Sequence, residues 1–263
     1  MLNILIKRTS FQIFLDVQKA LFFRELGMRF SAGRMGLFWT FVEPFLQVLI
    51  FVLIKVFIFG RSGDNFDFAV FIALNFIAFH MFRNIVTKSL SSFKANKPLF
   101  VYKQVTPIDT IIARTMVEVF ITVIIIIFFL FIGFYFEFDM QVKNLSMVVL
   151  GFVFLLLFSF SFALFFSVLN TFMNSIGKLV NLVMRILMFI SAIFYTVEIL
   201  PLKLQSLILY NPLTHFMEMI HGFYFIALDD RFVSYNYILL WTLSLLYGGL
   251  WLYVKFEKRI ISL

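Results

Sequence analysis

The chain has 263 residues, of which 62% are hydrophobic and only 14% are charged. Soluble domains average about 25% charged residues, so this composition excludes a soluble globular protein and indicates a polytopic membrane protein. The net charge of +8 is explained by basic cytoplasmic loops, so no nucleic-acid partner is expected.

Residues 1–36 form a charged arm ahead of the first long apolar run. Four apolar residues of the arm share one line of a helical wheel: Phe11, Leu15, Phe22 and Leu26. Gln18 and Glu25 interrupt that apolar sector. The spacing predicts an amphipathic helix that lies on the membrane surface, in contact with lipid.

Residues 37–263 are predicted to form one transmembrane domain of six helices, since a span needs about 20 apolar residues. The apolar runs cover residues 37–59, 66–86, 108–136, 145–169, 179–197 and 235–254. The segment 200–231 is broken by Pro201 and by Asn211-Pro212. We expect it to form two short re-entrant helices at the outer face, where surrounding protein can satisfy the interrupted backbone. The predicted fold class is an all-α integral membrane protein.

Most of the 22 Lys and Arg residues lie in the arm, between Arg83 and Arg114, near the turn at 170–178 and in the tail. The positive-inside rule therefore predicts that both termini are cytoplasmic.

The basic stretch at residues 91–107 separates the second and third spans. Pro98 and Pro107 disfavour helix at the residues before them, and Leu99, Phe100 and Tyr102 are free to pack against another surface. The stretch is either a cytoplasmic loop made basic by topology alone or a docking site for a soluble partner. Composition leaves both interpretations open.

Ionisable residues inside the spans are functional candidates, because an intramembrane charge is costly. Glu43 precedes Pro44 in the first span. It is either functional or an interfacial carboxylate that reaches headgroup water. Arg114 and Glu118 lie four residues apart, so they are predicted to pair on one helix face.

A polar stripe is predicted at the cytoplasmic start of the fifth span. Its members recur at helical spacing within a sector of about 80°: Asn170, Asn174, Lys178, Asn181 and Arg185. Such a confined stripe suits a hydrated, acidic polymer. Alternatively, residues 170–178 form a turn, which would leave Lys178, Asn181 and Arg185 as the stripe.

His215, Glu218 and His221 fan over about a third of a helix. Metal binding is conceivable, but a satisfied polar cluster behind the Asn211-Pro212 turn is the favoured interpretation, since no further His or Cys ligand lies nearby. No phosphate-binding Gly-x-x-x-x-Gly-Lys-Ser/Thr loop occurs, so the chain is not expected to hydrolyse ATP alone.

Two sets of stretches resemble known permeases. The first set resembles permease subunits of ABC exporters of the ABC-2 type: Leu37-Phe38-Trp39, Glu43-Pro44 and Asn211-Pro212-Leu213-Thr214-His215-Phe216-Met217-Glu218. The second resembles the inner-membrane permeases of Gram-negative capsular polysaccharide exporters, the KpsM type: Asn96, Leu99-Phe100, Pro107-Ile108-Asp109-Thr110-Ile111-Ile112-Ala113-Arg114 and Glu118. The likeness covers essentially the whole chain. It departs at His221, where the family usually has Arg.

The resemblance implies a non-enzymatic, homodimeric permease of the bacterial inner membrane that exports a lipid-linked, usually acidic polysaccharide. Two copies of a separate cytosolic ATPase would bind ATP and Mg, so no cofactor is expected in this chain. Periplasmic and outer-membrane polysaccharide export proteins are further expected partners.

The resemblance also implies roles for particular residues. The ATPase contacts of a coupling loop at 91–107 are expected to be Phe93, Lys94, Asn96, Leu99, Phe100 and Lys103. The substrate channel is expected to involve Trp39, Glu43, Asn174, Lys178, Asn181 and Arg185. The outer gate is expected to contain Asn211, Pro212, His215, Glu218 and His221.

Three other functions remain open at the level of sequence. The chain could be an O-antigen or teichoic-acid export permease, which differs in the polymer carried. It could be a membrane-embedded enzyme acting on a lipid-linked sugar. A channel without an ATPase is disfavoured by the basic, knob-like loop.

Overall fold

The computed structural model describes residues 9–31, 36–59 and 66–262. These residues form ten α-helices and no strand: α1 (Ser10–Ser31), α2 (Gly36–Phe59), α3 (Phe68–Ser89), α4 (Ser92–Asn96), α5 (Pro107–Tyr135), α6 (Leu145–Phe172), α7 (Asn174–Ile190), α8 (Leu202–Ile208), α9 (Pro212–Tyr224) and α10 (Tyr235–Ser262). Short 3₁₀ helices cover Lys97–Val101 and Val197–Ile199. The all-α fold class is confirmed, while residues 1–8 and 32–35 of the predicted arm lie outside the described residues.

Four helices of the described residues, α3, α5, α6 and α10, are long and apolar enough to cross a membrane. They correspond to the second, third, fourth and sixth predicted spans. The first predicted span coincides with α2, whose apolar stretch is Val42–Ile54. The helix α7 has 17 residues and is about 26 Å long at 1.5 Å per residue. This is a little less than the ~30 Å hydrocarbon core, so the count of six spans stays a prediction.

The centre of the bundle is α6, which packs against α3, α9 and α10. Aromatic rings fill these contacts. The ring of Phe158 in α6 lies 5.6 Å from that of Phe82 in α3 and 5.0 Å from that of Phe216 in α9. All three rings are almost completely buried. Because the helices alternate in direction, the bundle has a loop end, with residues 90–106, and a far end, with residues 137–144 and 191–201.

The helix α1 packs on α5 rather than presenting one apolar line to a membrane. Val17 and Leu21 are buried against Ala113 of α5. Phe11 and Leu15 are exposed, whereas Leu26 of the same predicted line is buried. Protein contacts therefore cover one part of the predicted line and leave another part open, and the placement of α1 on a membrane surface stays a prediction.

The connection from α6 to α7 is shorter than the predicted turn at 170–178. Only Met173 separates the two helices. The Asn170 side chain joins them by accepting a hydrogen bond from the Gly177 N–H at 2.7 Å and donating one to the Leu90 carbonyl at 2.8 Å. A Cβ on Gly177 would lie 2.7 Å from Asn170 Oδ1, so a side chain at position 177 would displace the Asn170 amide from this hydrogen bond.

The helix α7 ends at Ile190 instead of continuing to residue 197 as predicted. Ala192 has a φ of 54°, a left-handed conformation that no α-helix interior accepts. The Asn211 side chain donates a hydrogen bond to the Ile190 carbonyl at 3.2 Å. Thr214 donates to the same carbonyl at 3.3 Å. Side chains from a later segment of the chain thus supply hydrogen bonds to the free carbonyl at the end of α7.

The broken segment forms the two short helices that the sequence predicts, α8 and α9. Asn211 caps α9 by accepting a hydrogen bond from the Leu213 N–H, and Pro212 occupies the first turn. Almost every residue of α9 is buried, packed against α6, α3 and α10. Its last turn accepts hydrogen bonds from the backbone N–H groups of Lys143 and Asn144 at 2.9 Å. A helix enclosed in this way can end at membrane depth without unsatisfied backbone groups.

Candidate functional site

A buried ion cluster lies at the loop end, where α1, α3 and α5 meet. The Glu118 carboxylate of α5 is 1% exposed and pairs with Arg29 of α1 and with Lys88 of α3, the latter at 3.0 Å. Next to it, Arg114 Nε lies 3.1 Å from Glu25 Oε1, with both side chains less than a tenth exposed. The Arg114 guanidinium also donates a hydrogen bond to the Lys88 carbonyl.

These contacts correct the predicted pairing of Arg114 with Glu118. The two side chains share a region of α5, as their spacing requires, but the ion pairs of the described residues join each of them to other helices. The reason is burial: a charge removed from water needs close, well-directed partners. Here α1 supplies an opposite charge to each.

The loop is tied to the same cluster through Asn96. Its side-chain carbonyl accepts a hydrogen bond from Arg24 of α1 at 2.8 Å. Its amide donates to Glu25 at 3.4 Å and to the Ser92 carbonyl at 3.0 Å. Asn96 is 1% exposed, so its position is set by contacts within this chain, and its expected contact with an ATPase stays a prediction.

A second set of contacts holds the exit of the loop. Thr106 and Asp109 form a reciprocal capping box at the start of α5, an arrangement that satisfies two free N-terminal donors. The Gln18 amide of α1 donates to the other Asp109 oxygen at 2.9 Å. Ser92 donates to Thr110 at 2.7 Å. The loop is thus fixed at both ends to α5 and α1.

The loop buries some of the residues predicted to face outward. Phe93 and Phe100 are 2% and 8% exposed, and Leu99 packs against α1 and α5. The exposed apolar residues are instead Val101, at 83%, and Tyr102, at 65%. Their neighbours are exposed and polar or cationic: Lys94, Lys97, Lys103 and Gln104. We call residues 101–104 the loop tip.

The predicted polar stripe is reduced by the break at Met173. Asn170 lies on α6 and serves the junction with α7. The remaining four members are exposed on one face of α7: Asn174, Lys178, Asn181 and Arg185. Lys94 of the loop donates a hydrogen bond to Asn174. Large exposed apolar residues flank this face: Leu179, Leu182, Ile186 and Phe189.

The channel residues predicted on α2 lie at the start of that helix. Trp39 is 55% exposed. The half-exposed Glu43 carboxylate lies 3.4 Å from Arg83 of α3 and accepts a hydrogen bond from Gln47. Gln47 in turn contacts His80 of α3. Glu43 is therefore bonded to α3 and to its own helix, and its two possible roles stay open.

At the far end, the predicted gate residues make several polar contacts. Glu218 accepts a hydrogen bond from the Val197 N–H at 2.8 Å and lies 3.2 Å from His221 Nε2. The other ring nitrogen of His221 lies 3.2 Å from the Asn75 side chain of α3. His215 instead contacts the Leu209 and Phe232 carbonyls. No group of three metal-ligating side chains occurs among the residues that were described.

Sequence reasoning missed four partners in the buried cluster: Arg24, Glu25, Arg29 and Lys88. One signal was present. Gln18 and Glu25 interrupt an otherwise apolar sector of α1, and polar residues in such a sector indicate a protein-facing side with specific partners.

A helical bundle with several apolar spans, a short enclosed helix and a basic loop between two spans indicates an integral membrane protein. The model of the ABC-2 type transporter family matches residues 18–225, and the chain belongs to that family. It is 32% identical to the polysialic acid transport protein KpsM of Escherichia coli, over 97% of this chain and 99% of that protein. It is also similar to two capsule polysaccharide export inner-membrane proteins. Identity is 28% to CtrC of Neisseria meningitidis serogroup A and 26% to BexB of Haemophilus influenzae, each over 96% of this chain and 97% of the relative.

Proposed function

We propose that this chain is the permease subunit of an ATP-driven exporter that carries lipid-linked capsular polysaccharide across the bacterial inner membrane. The full-length likeness to permeases named for capsule polysaccharide export supports the substrate class. On the positive-inside rule, the loop end and both termini are cytoplasmic.

The loop tip is the proposed contact with a cytosolic ATPase, which binds the ATP and Mg that drive transport. The observation that carries this proposal is the combination of a firmly held base and an exposed apolar tip. Phe93, Asn96 and Phe100 are buried in the permease, so the loop can transmit force. Val101 and Tyr102 project from it, and exposed apolar side chains of this kind fit a cleft in a partner protein.

The face of α7 is the proposed wall of the polysaccharide path, with a second copy of the chain opposite. Its polar stripe provides amides and cations that exchange hydrogen bonds with sugar hydroxyls and attract an acidic polymer without trapping it. Its exposed apolar residues would pack against the second copy. Periplasmic and outer-membrane export proteins would receive the polymer at the far end.

The ATPase contact can be tested by replacing both Val101 and Tyr102 with Asp. The variant should insert into the membrane at the wild-type level but fail to co-purify the ATPase, and polysaccharide should accumulate in the cytoplasm. Ile261→Asp is the control, because Ile261 is exposed at the same end of the bundle but outside the loop. Undiminished ATPase binding by the double variant would exclude the loop tip as the contact.

The substrate is tested by deleting the gene and identifying the polymer that no longer reaches the surface. Loss of capsule with normal O-antigen supports the proposal. Loss of O-antigen with a normal capsule would contradict it.

A further inference from the structure

An apolar cavity of about 490 Å³ lies between α2, α3, α5 and α6, towards the far end of the bundle. Val48, Ala73, Phe129 and Val148 contribute its walls, one from each helix. Among the described residues that line it, Tyr224 alone carries a polar side-chain group. The cavity has a size typical of pockets that hold small molecules, about 300–1,000 Å³.

This cavity is unfavourable both when it is filled with water and when it is left empty. A buried water needs two to four polar partners, and an apolar cavity stays dry. An empty cavity forfeits the dispersion contacts of all its lining atoms, and protein interiors have few voids larger than a water molecule. An apolar occupant would restore these contacts, so the cavity favours one.

The surroundings indicate which apolar occupant is available. Leu49, Leu130 and Val149 line the cavity and are also 40%, 49% and 53% exposed on the surface of α2, α5 and α6. The cavity thus opens sideways onto side chains that, on membrane-spanning helices, face lipid tails. Its wall is continuous with the lipid-facing surface of the bundle.

We propose that this cavity is a binding site for one acyl chain of a bilayer phospholipid. The chain enters from the side, between α2, α5 and α6, and fills the space that these helices leave against α3. In the orientation proposed above the far end is periplasmic, so the lipid belongs to the periplasmic leaflet. The presence of the acyl chain does not depend on that orientation.

The first test measures phospholipid retention by native mass spectrometry. The full-length protein is purified in mild detergent, stripped of loose lipid and titrated with palmitoyl-oleoyl phosphatidylethanolamine. Wild type should retain one phospholipid per chain. The double variant Ala69→Leu and Ala73→Leu, at two positions four residues apart on the cavity side of α3, should abolish retention by filling the space. Ala20→Leu, on an exposed position of α1, should retain lipid as wild type does.

The second test uses wild type alone, so that a misfolded variant cannot decide the outcome. A phospholipid with a photoactivatable group at the end of one acyl chain should label the residues that line the cavity, such as Phe129 and Val148, with the labelled positions read residue by residue. Labels confined to outward-facing residues such as Phe131 and Phe134 would overturn the proposal. So would equal retention by the filled variant, or recovery of a glycolipid or a protein segment in place of phospholipid. Capsule export is not the readout, so failure here leaves the proposed function intact.

Discussion

The buried ion cluster at the loop end gives the sharpest prediction. Glu118→Gln keeps the size of the side chain but removes the negative charge that faces Arg29 and Lys88. The variant should be strongly destabilised, because two cations then lose their shared partner. Glu118 is 1% exposed and Arg29 is 17% exposed, so water cannot readily take the place of the lost ion pair at either side chain.

The magnitude follows from the burial of each group. Removing one partner of a buried ion pair costs about 3–5 kcal/mol. Lys88 is 42% exposed and can turn towards water, which places the expected loss near the lower limit, about 3 kcal/mol. For a chain of this size each kcal/mol lowers the melting temperature by about 2–4 °C, so the expected decrease is about 6–12 °C.

The assay is thermal unfolding of the purified full-length protein in one detergent, followed by fluorescence. Glu43→Gln is the matched control. Its carboxylate is 54% exposed and lies 3.4 Å from Arg83, and an exposed pair of this kind contributes at most about 1 kcal/mol.

A second variant tests whether the loss of stability comes from the unpaired charges or from the changed shape of the side chain. In this variant Arg29, Lys88 and Glu118 are all three replaced by Met, which removes every charge of the group. Most of the stability should return, because apolar replacement of a complete buried ion set is often neutral. Melting of Glu118→Gln and Glu43→Gln within about 2 °C of each other, the lower limit of the shift expected for 1 kcal/mol, would refute the stabilising role assigned to the Glu118 charge.

Three further predictions concern other parts of the chain. Gly222→Ala should destabilise the protein by about 1–3 kcal/mol through overpacking, since the new Cβ would lie 2.9 Å from the Asp229 carbonyl oxygen. Gly27→Ala is the comparison, because nothing lies within 4 Å of its new Cβ, and it should stabilise α1 by about 0.5–1 kcal/mol. The same thermal assay measures both. Met217→Cys, at a fully buried position, should react with a periplasmic thiol reagent during transport but not at rest, and equal labelling in both states would argue against gating by α9. Lys178→Glu combined with Arg185→Glu should block export of an acidic capsule while the ATPase still co-purifies, and a normal surface capsule at matched protein level would remove the stripe from the path.

The arrangement of helices was largely accessible from sequence. Long apolar runs predict α3, α5, α6 and α10 because a membrane demands a minimum length of apolar helix. The interruptions at Pro201 and Asn211-Pro212 predict two short helices for a local reason, the backbone restrictions of proline. The end of α7 at Ile190 was not predictable in this way, since it depends on side chains of Asn211 and Thr214 that reach back from a later segment.

The candidate sites were accessible only in part. Sequence spacing correctly indicates that Arg114 and Glu118 share a region of α5, but not that α1 supplies their partners. Glu25 and Arg114 are 89 positions apart in the chain, and no periodicity links residues at that separation. The loop shows the same limit of prediction from sequence. Phe100 and Tyr102 are both aromatic residues in a basic stretch, yet Phe100 is buried and Tyr102 is exposed.

By itself, the sequence determined that this protein is helical, embedded in a membrane and built with a basic segment between two spans. These properties follow from composition and local spacing, because the bilayer requires apolar side chains and an internally hydrogen-bonded backbone along each span. Tertiary structure alone decided which charges meet, which loop residues project as the tip and where an apolar cavity is left between four helices. Those features depend on packing between segments distant in the chain, and packing is a property of the assembled bundle rather than of any one stretch.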